Sequence, residues 1–306
     1  MLFILLGAFL LYVGAEALVR ASVSLATRAG VSALVAGLTV VAFGTSAPEL
    51  SVSISSALEG KSGIALGNVV GSNIFNIAVI LGIAALIHPL QIHLNVIRRD
   101  IPIMIVSSGI LLALIATGTV SALAGVGLLA SLAAYLFFTV RLAKKESRPA
   151  DEIPSLLTKH WLLDGGVLLV GLAVLIFGSR LFVDGATSLA KSLGVSDAII
   201  GLTIVAAGTS LPELATSVVA ALKKQSDIAV GNVVGSNIFN VFCIIGATSV
   251  VTPIDATGIE LRDSLTMLGL SLVLLPFALT GRRISRMEGL VFCGVYAGYV
   301  FFLWPR

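Results

Sequence analysis

The chain has 306 residues, 57% of them hydrophobic and 11% charged, with a formal net charge of +3 and a mean hydropathy of +1.07. Soluble domains carry about 25% charged residues, so this sequence cannot build a water-facing surface. A soluble enzyme, a nucleic-acid-binding protein and a disordered chain are excluded. The composition is that of an integral membrane protein, whose excess of Lys and Arg belongs in cytoplasmic loops rather than against a nucleic acid.

A helix crossing the ~30 Å hydrocarbon core needs about 20 mostly apolar residues. Residues 2–26 form the first such run. No basic residue precedes its apolar stretch, so it reads as a retained span rather than a cleaved leader. Runs at 32–57, 64–87, 101–118 and 120–140 follow. A polar linker from Arg141 to His160 carries Lys144, Lys145, Glu146, Arg148, Asp151 and Glu152. Beyond it lie 163–183, 197–222, 228–251, 264–280 and 287–304. The expected fold is all-α, with about ten transmembrane helices: five in residues 1–140, a cytoplasmic linker at 141–160, and five in 161–306. Ten spans put both termini on one side. With the termini outside, the cytoplasmic loops collect 14 of the 19 Lys and Arg and the outside keeps 5, so that orientation is expected. Cys243 and Cys293 sit in apolar runs and form no disulfide framework, while His88, His93 and His160 fall near basic, loop-like stretches and read as solvated.

The two halves repeat each other at an offset of 164. Residues 30–58 match 194–222 at 17 of 29 positions, and 64–76 match 228–240 at 12 of 13. Gly14, Leu25 and Ala26 align with Gly178, Leu189 and Ala190 upstream. Shared Leu or Val arises by chance in apolar sequence; matched Gly, Pro, Glu, Ser and Asn do not. Five spans per copy mean that the copies run in opposite senses through the bilayer. Inverted repeats of this kind place a substrate site at the midplane, on the repeat interface.

Each copy holds a polar block inside an apolar run, Gly44-Thr45-Ser46-Ala47-Pro48-Glu49 and Gly208-Thr209-Ser210-Leu211-Pro212-Glu213. A carboxylate at the bilayer centre costs about 2.5–3.5 kcal/mol even on lenient scales and marks function. Thr45 and Glu49 share a helix face, as do Thr209 and Glu213. Pro48 and Pro212 lack an N–H, which releases the carbonyls four residues back at Gly44 and Gly208. Broken helices are thus expected at both places, with the Ala42 and Ala206 carbonyls as further oxygen donors. The next spans carry stripes at four-residue spacing, Asn68, Ser72 and Asn76, copied as Asn232, Ser236 and Asn240. Gly67, Gly71, Gly231 and Gly235 are small enough to let these helices approach the broken ones. Hydrogen bonding between helices is the plain reading of the stripes alone.

Two carboxylates, several hydroxyls, amide oxygens and carbonyls make a hard, all-oxygen shell without Cys, Met or His, which argues against Zn²⁺ or Cu. Ca²⁺ takes six to eight oxygens and suits such a cage better than Mg²⁺. Na⁺ accepts similar oxygens with half the charge.

Gly-Thr-Ser-x-Pro-Glu in both halves, each followed by Gly-Asn-x-x-Gly-Ser-Asn-Ile, resembles the two alpha repeats of sodium/calcium exchangers in the cation/calcium antiporter superfamily. The resemblance covers nearly the whole chain. It implies alternating access with Na⁺ entry driving Ca²⁺ export at a ratio of about three Na⁺ to one Ca²⁺. It implies that Glu49, Glu213, Thr45 and Thr209 hold Ca²⁺. It implies that Ala42, Ser46, Ser72, Asn76, Ala206, Ser210, Ser236 and Asn240 join those four for Na⁺. Some relatives carry Asp in one copy of the 76/240 position, whereas this chain has Asn in both. Proton/calcium exchangers usually show Gly-Asn-x-x-Glu where this chain has Gly-Thr-Ser-x-Pro-Glu, which favours Na⁺. A proton/calcium antiporter, a cation channel and an intramembrane hydrolase are the rival readings. No cofactor is implied, and a protein working as a monomer in a prokaryotic cytoplasmic membrane is expected.

Overall fold

The computed structural model describes residues 1–145, 160–194, 206–257 and 259–303. Most of the 141–160 linker and the beginning of the 197–222 run therefore lie outside the described residues. In chain order the first half contains α1 (Leu2–Ala29), α2 (Ala33–Thr45), α3 (Ala47–Leu58), α4 (Ser62–Ile87), α5 (Val96–Ala116) and α6 (Ala122–Lys145). The second half contains α7 (Trp161–Ser192), α8 (Ala206–Gly208), α9 (Leu211–Leu222), α10 (Ser226–Val251), α11 (Leu261–Leu279) and α12 (Arg286–Leu303). Among the described residues eight helices are long and apolar enough to cross a membrane, and the pair α2–α3 makes a ninth span bent by 42°. α8 and the short apolar helix α9 fall in the remaining expected run, 197–222, whose beginning is outside the described residues.

Local chemistry sets the breaks. Ser32 caps α2 by accepting the Val35 N–H on its hydroxyl, and Gly30 ends α1 in the left-handed region at φ 67°, where a side chain would be strained. Pro48 and Pro212 sit in the first turns of α3 and α9, where a missing N–H does no harm. The helix therefore restarts at the proline, and Ser46 and Ser210 become the corners. Hydropathy placed the spans correctly but not their ends. The helix built on run 163–183 continues to Ser192, because Leu189, Ala190 and Lys191 are strong helix formers beyond the apolar run.

α4 and α10 form the centre, and nearly all of α10 is buried. α10 packs on α2, α6 packs along α10, α12 along α4, and α5 against α11. Large apolar side chains such as Phe9, Leu123, Phe137, Leu169 and Phe301 point outward, a surface that only lipid can satisfy. Two short ribbons tie the halves together. β1 (Leu90–Gln91) pairs antiparallel with β4 (Arg283–Ile284), and β2 (Thr119–Val120) with β3 (Ile254–Asp255). Each ribbon takes one strand from each half, and the two lie at opposite ends of α5. The repeat also extends into the outer helices beyond the aligned motifs. Tyr135 donates to Asp100 at 3.3 Å and its equivalent Tyr299 to Asp263 at 3.0 Å, while Ser108 and Ser271 meet across the interface at 3.2 Å.

α1 and α7 lie antiparallel against each other over most of their length. A Cβ on Gly14 would stand 2.7 Å from the Leu175 nitrogen, and one on the equivalent Gly178 would stand 2.9 Å from the Leu11 nitrogen. Asp164, buried near the start of α7, accepts from Ser24 at 2.6 Å and from Arg28 at 2.8 Å, both on α1. Gly231 and Gly235 make the expected close approach, to within 3.0 and 2.8 Å of α2 backbone oxygens for an added Cβ. Gly67 and Gly71 meet no backbone among the described residues; their counterpart segment is at 195–205, outside them. Cys243 and Cys293 are free thiols, and His93 is solvent-facing, paired with Asp227 at 3.2 Å. The carboxylate holds that imidazole above its usual range.

Gly14→Ala is expected to destabilise the fold by about 1–3 kcal/mol through overpacking. Gly109→Ala on α5, with nothing within 4 Å of the added methyl, should be neutral or gain up to about 1 kcal/mol in helix propensity. Thermal unfolding in detergent measures both.

Candidate functional site

Where the two broken spans meet α4 and α10, the matched polar residues converge. Glu49 and Glu213, both in the first turn after a break, are 1% exposed, and neither has a basic partner among the described residues. Each carboxylate is tied across the repeat interface by one oxygen. Ser46 donates to Glu213 Oε1 at 3.1 Å, and Ser210 donates to Glu49 Oε1 at 3.0 Å. The second oxygens, Glu49 Oε2 and Glu213 Oε2, are buried without a hydrogen-bond donor. Two unpaired carboxylates in low dielectric are costly unless a cation or proton joins them.

The asparagine stripes divide into two jobs. Asn68 donates to the Glu49 carbonyl at 3.1 Å and to Ser53 at 2.9 Å, and its oxygen accepts from Thr209 at 3.3 Å. Asn232 does the same to the Glu213 carbonyl, Ser217 and Thr45 at 3.2, 3.0 and 3.2 Å. These two amides brace the corners, and each oxygen already accepts a threonine hydroxyl from the other half. Asn76 and Asn240 behave differently. The Asn76 amide donates to Asn237 Oδ1 and the Asn240 amide to Asn73 Oδ1, each at 2.9 Å. Both nitrogens are thereby occupied, and Asn76 Oδ1 and Asn240 Oδ1 remain buried and unpartnered. Asn73 and Asn237 hold their own place by donating to each other's backbone carbonyl at 3.4 and 3.3 Å. Four acceptor oxygens in two symmetric pairs therefore lack donors: two carboxylate and two amide.

Sequence reasoning passed over Asn73, Asn237, Ser53 and Ser217. Asn73 lies one residue off the 68/72/76 stripe, so face-counting discards it, although the repeat matches it to Asn237. A second feature had no sequence signal: at Asn76 and at Asn240 the helix widens into a π turn, 76–81 and 240–245. Such turns cluster at functional sites because they re-aim side chains.

The remaining expected ligands are placed less evenly. Thr45, Ser46, Ser72, Ser210 and Ser236 are buried and Thr209 half-buried. Ser210 also bonds Ser72 at 3.1 Å, whereas the equivalent Ser236 hydroxyl has no partner. The Ala42 carbonyl is not released by Pro48, since it accepts the Ser46 N–H at 3.1 Å. In the second half the Ser210 N–H turns to Ala207 at 3.2 Å rather than to Ala206. The Gly208 carbonyl, released by Pro212, accepts the Ser179 hydroxyl at 2.7 Å. Among the described residues no three His, Cys, Asp or Glu side chains gather, which fits a cage of hydroxyl, amide and carboxylate oxygens rather than a transition-metal centre.

Such a fold and such a cage define a membrane transporter of hard cations, not an enzyme. The chain belongs to the sodium/calcium exchanger family, whose model, "Sodium/calcium exchanger protein", matches residues 1–141 and 164–304. It is 36% identical to the putative antiporter CaxA of Alkalimonas amylolytica over 99% of this chain and 98% of that one. It is also 36% identical to the sodium/calcium exchanger MaX1 of Methanosarcina acetivorans, over 98% and 97% of the two chains. The solved structure of the sodium-calcium exchanger NCX_Mj superposes with a TM-score of 0.84 at 34% identity, covering 97% of this chain and 96% of its own.

Asn237→Leu is expected to lower stability by about 1–3 kcal/mol, since it strands the Asn76 amide in a buried site. Serine at position 53 is less central, and Ser53→Ala should shift the thermal midpoint by a smaller amount.

Proposed function

We propose that the protein exchanges Na⁺ for Ca²⁺ across a cytoplasmic membrane by alternating access, as a monomer with both termini outside. The observation that carries this reading is the set of four orphaned oxygens, two of them on carboxylates with no counter-charge. One Ca²⁺ neutralises both glutamates and takes the amide oxygens as further hard ligands. Several Na⁺ use the same oxygens at half the charge each, so the two loads compete for one cage, and competition at a shared site is what couples antiport. Thr45 and Thr209 complete the Ca²⁺ position with Glu49 and Glu213. Ser46, Ser72, Ser210, Ser236, Asn76, Asn240 and the Ala42 and Ala206 carbonyls serve Na⁺. The names of MaX1 and NCX_Mj support Na⁺ as the coupling ion.

Glu213→Gln is expected to fold normally and to lose Ca²⁺ exchange by at least about a hundredfold, since it removes half the charge opposing a divalent ion in a poorly hydrated site. ⁴⁵Ca²⁺ counterflow against Na⁺ in proteoliposomes measures it, and normal exchange would refute the site assignment. In the same vesicles, a pH gradient without Na⁺ should drive no Ca²⁺ flux; if it does, the coupling ion is H⁺.

Charge counting sets a second expectation. Glu49 and Glu213 contribute −2 and the two asparagines nothing, so a Ca²⁺-loaded cage is neutral and a cage with about three Na⁺ carries about +1. Moving that charge across 100 mV is worth about 2.3 kcal/mol. An inside-negative potential should therefore speed Na⁺ entry coupled to Ca²⁺ exit when vesicles are clamped with K⁺ and valinomycin. A reversal condition independent of voltage would mean two Na⁺ per Ca²⁺.

A further inference from the structure

Between residues 14–76 and their counterparts 178–240, four positions carry a charge in both copies: 16/180, 20/184, 49/213 and 59/223. Glu49 and Glu213 agree in sign, as a shared cation site demands. The other three all reverse. Glu16, Arg20 and Lys223 are matched by Arg180, Asp184 and Glu59. Reversing every member of a set preserves its internal attractions, whereas reversing one member would destroy them.

In the conformation seen, one of the two sets is assembled. Glu16 on α1 accepts from Lys223, just past the end of α9, at 2.6 Å, and from Arg20 at 2.5 Å. The side chains of Glu16 and Lys223 are 20% and 29% exposed. The contact sits where α1 packs along α9. The other set is apart. α7 does not pack along α3 as α1 does along α9. Arg180 and Asp184 are exposed and make no ion pair among the described residues, and Glu59 turns instead to its neighbour Lys61 at 2.7 Å on the surface. Because the copies are inverted, Lys223 and Glu59 end their helices at opposite membrane faces. Among the described residues, one set is thus joined at one face and its equivalent on the other face is apart.

α1 and α7 are locked to each other by the glycine contacts and by Asp164, so they shift as one body. A shift that draws Glu16 away from Lys223 carries Arg180 toward Glu59. We infer that the two charge sets are reciprocal latches: Glu16–Lys223 holds one face shut in the conformation seen, and Arg180–Glu59, flanked by Asp184, holds the opposite face shut in the other. The inference rests on the alternating-access reading above. The physical sense of the arrangement is balance. A single latch would favour one state by its whole interaction energy and slow every return, whereas exchanging one ion pair for another leaves the two states close in free energy.

The test reads positions rather than ions, so it stands or falls separately from the identity of the coupling ion, which the flux assays decide. With Cys243 and Cys293 replaced by Ala, Glu16→Cys/Lys223→Cys and Glu59→Cys/Arg180→Cys are each oxidised in proteoliposomes. Both pairs should cross-link, each cross-link should stop Ca²⁺ flux, and closing the 16–223 pair first should prevent closure of the 59–180 pair. Adding Lys223→Gln to the 59–180 pair should speed its cross-linking about three- to tenfold. A 59–180 pair that never cross-links in transporting protein, or that cross-links at the same rate with the 16–223 pair closed, overturns the inference. A charge swap covers the case in which cysteine variants fail to fold. Arg180→Glu alone should slow exchange, and Glu59→Arg with Arg180→Glu should restore most of it. A double variant no better than the single one also overturns the inference.

Discussion

Everything in this structure is arranged around two buried carboxyl groups that no basic side chain among the described residues answers. An isolated buried carboxylate is among the least tolerable groups in a protein interior, and here two stand together at the centre of a membrane. The fold brings each a serine hydroxyl from the opposite half and leaves its second oxygen without a hydrogen-bond donor among the described residues. That half-satisfaction is what separates a binding cage from a structural network. A fully bonded network would be rigid and inert, and an apolar core would have nothing to offer an ion.

The crossing of bonds between halves has a second effect. Ser46 serves Glu213, Ser210 serves Glu49, Asn73 orients Asn240 and Asn237 orients Asn76. Neither half contains a complete site, and no ligand is held by its own repeat alone. The bracing amides of Asn68 and Asn232 add the same pattern one step further out, each holding its own glutamate's carbonyl while accepting from the other half's threonine. Displacing α3, α4, α9 or α10 against the others therefore disturbs oxygens supplied by both halves.

Much of this could be read in the sequence because the bilayer imposes its demands coarsely. Long apolar runs gave the spans, and a polar block inside an apolar run gave Glu49 and Glu213. The duplicated Gly, Pro, Ser and Asn gave the inverted symmetry and, with it, the location of the cage on the interface. The finer parts were hidden for identifiable reasons. The π turns at Asn76 and Asn240 leave no compositional mark. Asn73 and Asn237 were overlooked because their importance lies in a contact 164 residues away, not in periodicity. The outer pairs Tyr135–Asp100 and Tyr299–Asp263 belong to the repeat too, but a one-residue change of offset, which also aligns Met104 with Met267 and Ser108 with Ser271, hid them from an ungapped comparison. The release of the Ala42 carbonyl failed to appear because Ser46, not Pro48, forms the corner and keeps the bond.

The sign reversal between the two halves also bears on ancestry. An antiparallel pair of identical five-helix chains would build the same cage, since Glu49 and Glu213, the serines and the asparagines are the same in both. It would not build the same closures. Two copies of the first half would bring Glu16 against Glu59, and two copies of the second would bring Arg180 against Lys223. Each pairing sets like charges together at the place where the helices must close, a juxtaposition that works against the wrong partner. The residues of the cage still record a molecule made of two equal parts. The residues at the rims record that the parts have since become complementary, so that neither is able to stand in for the other.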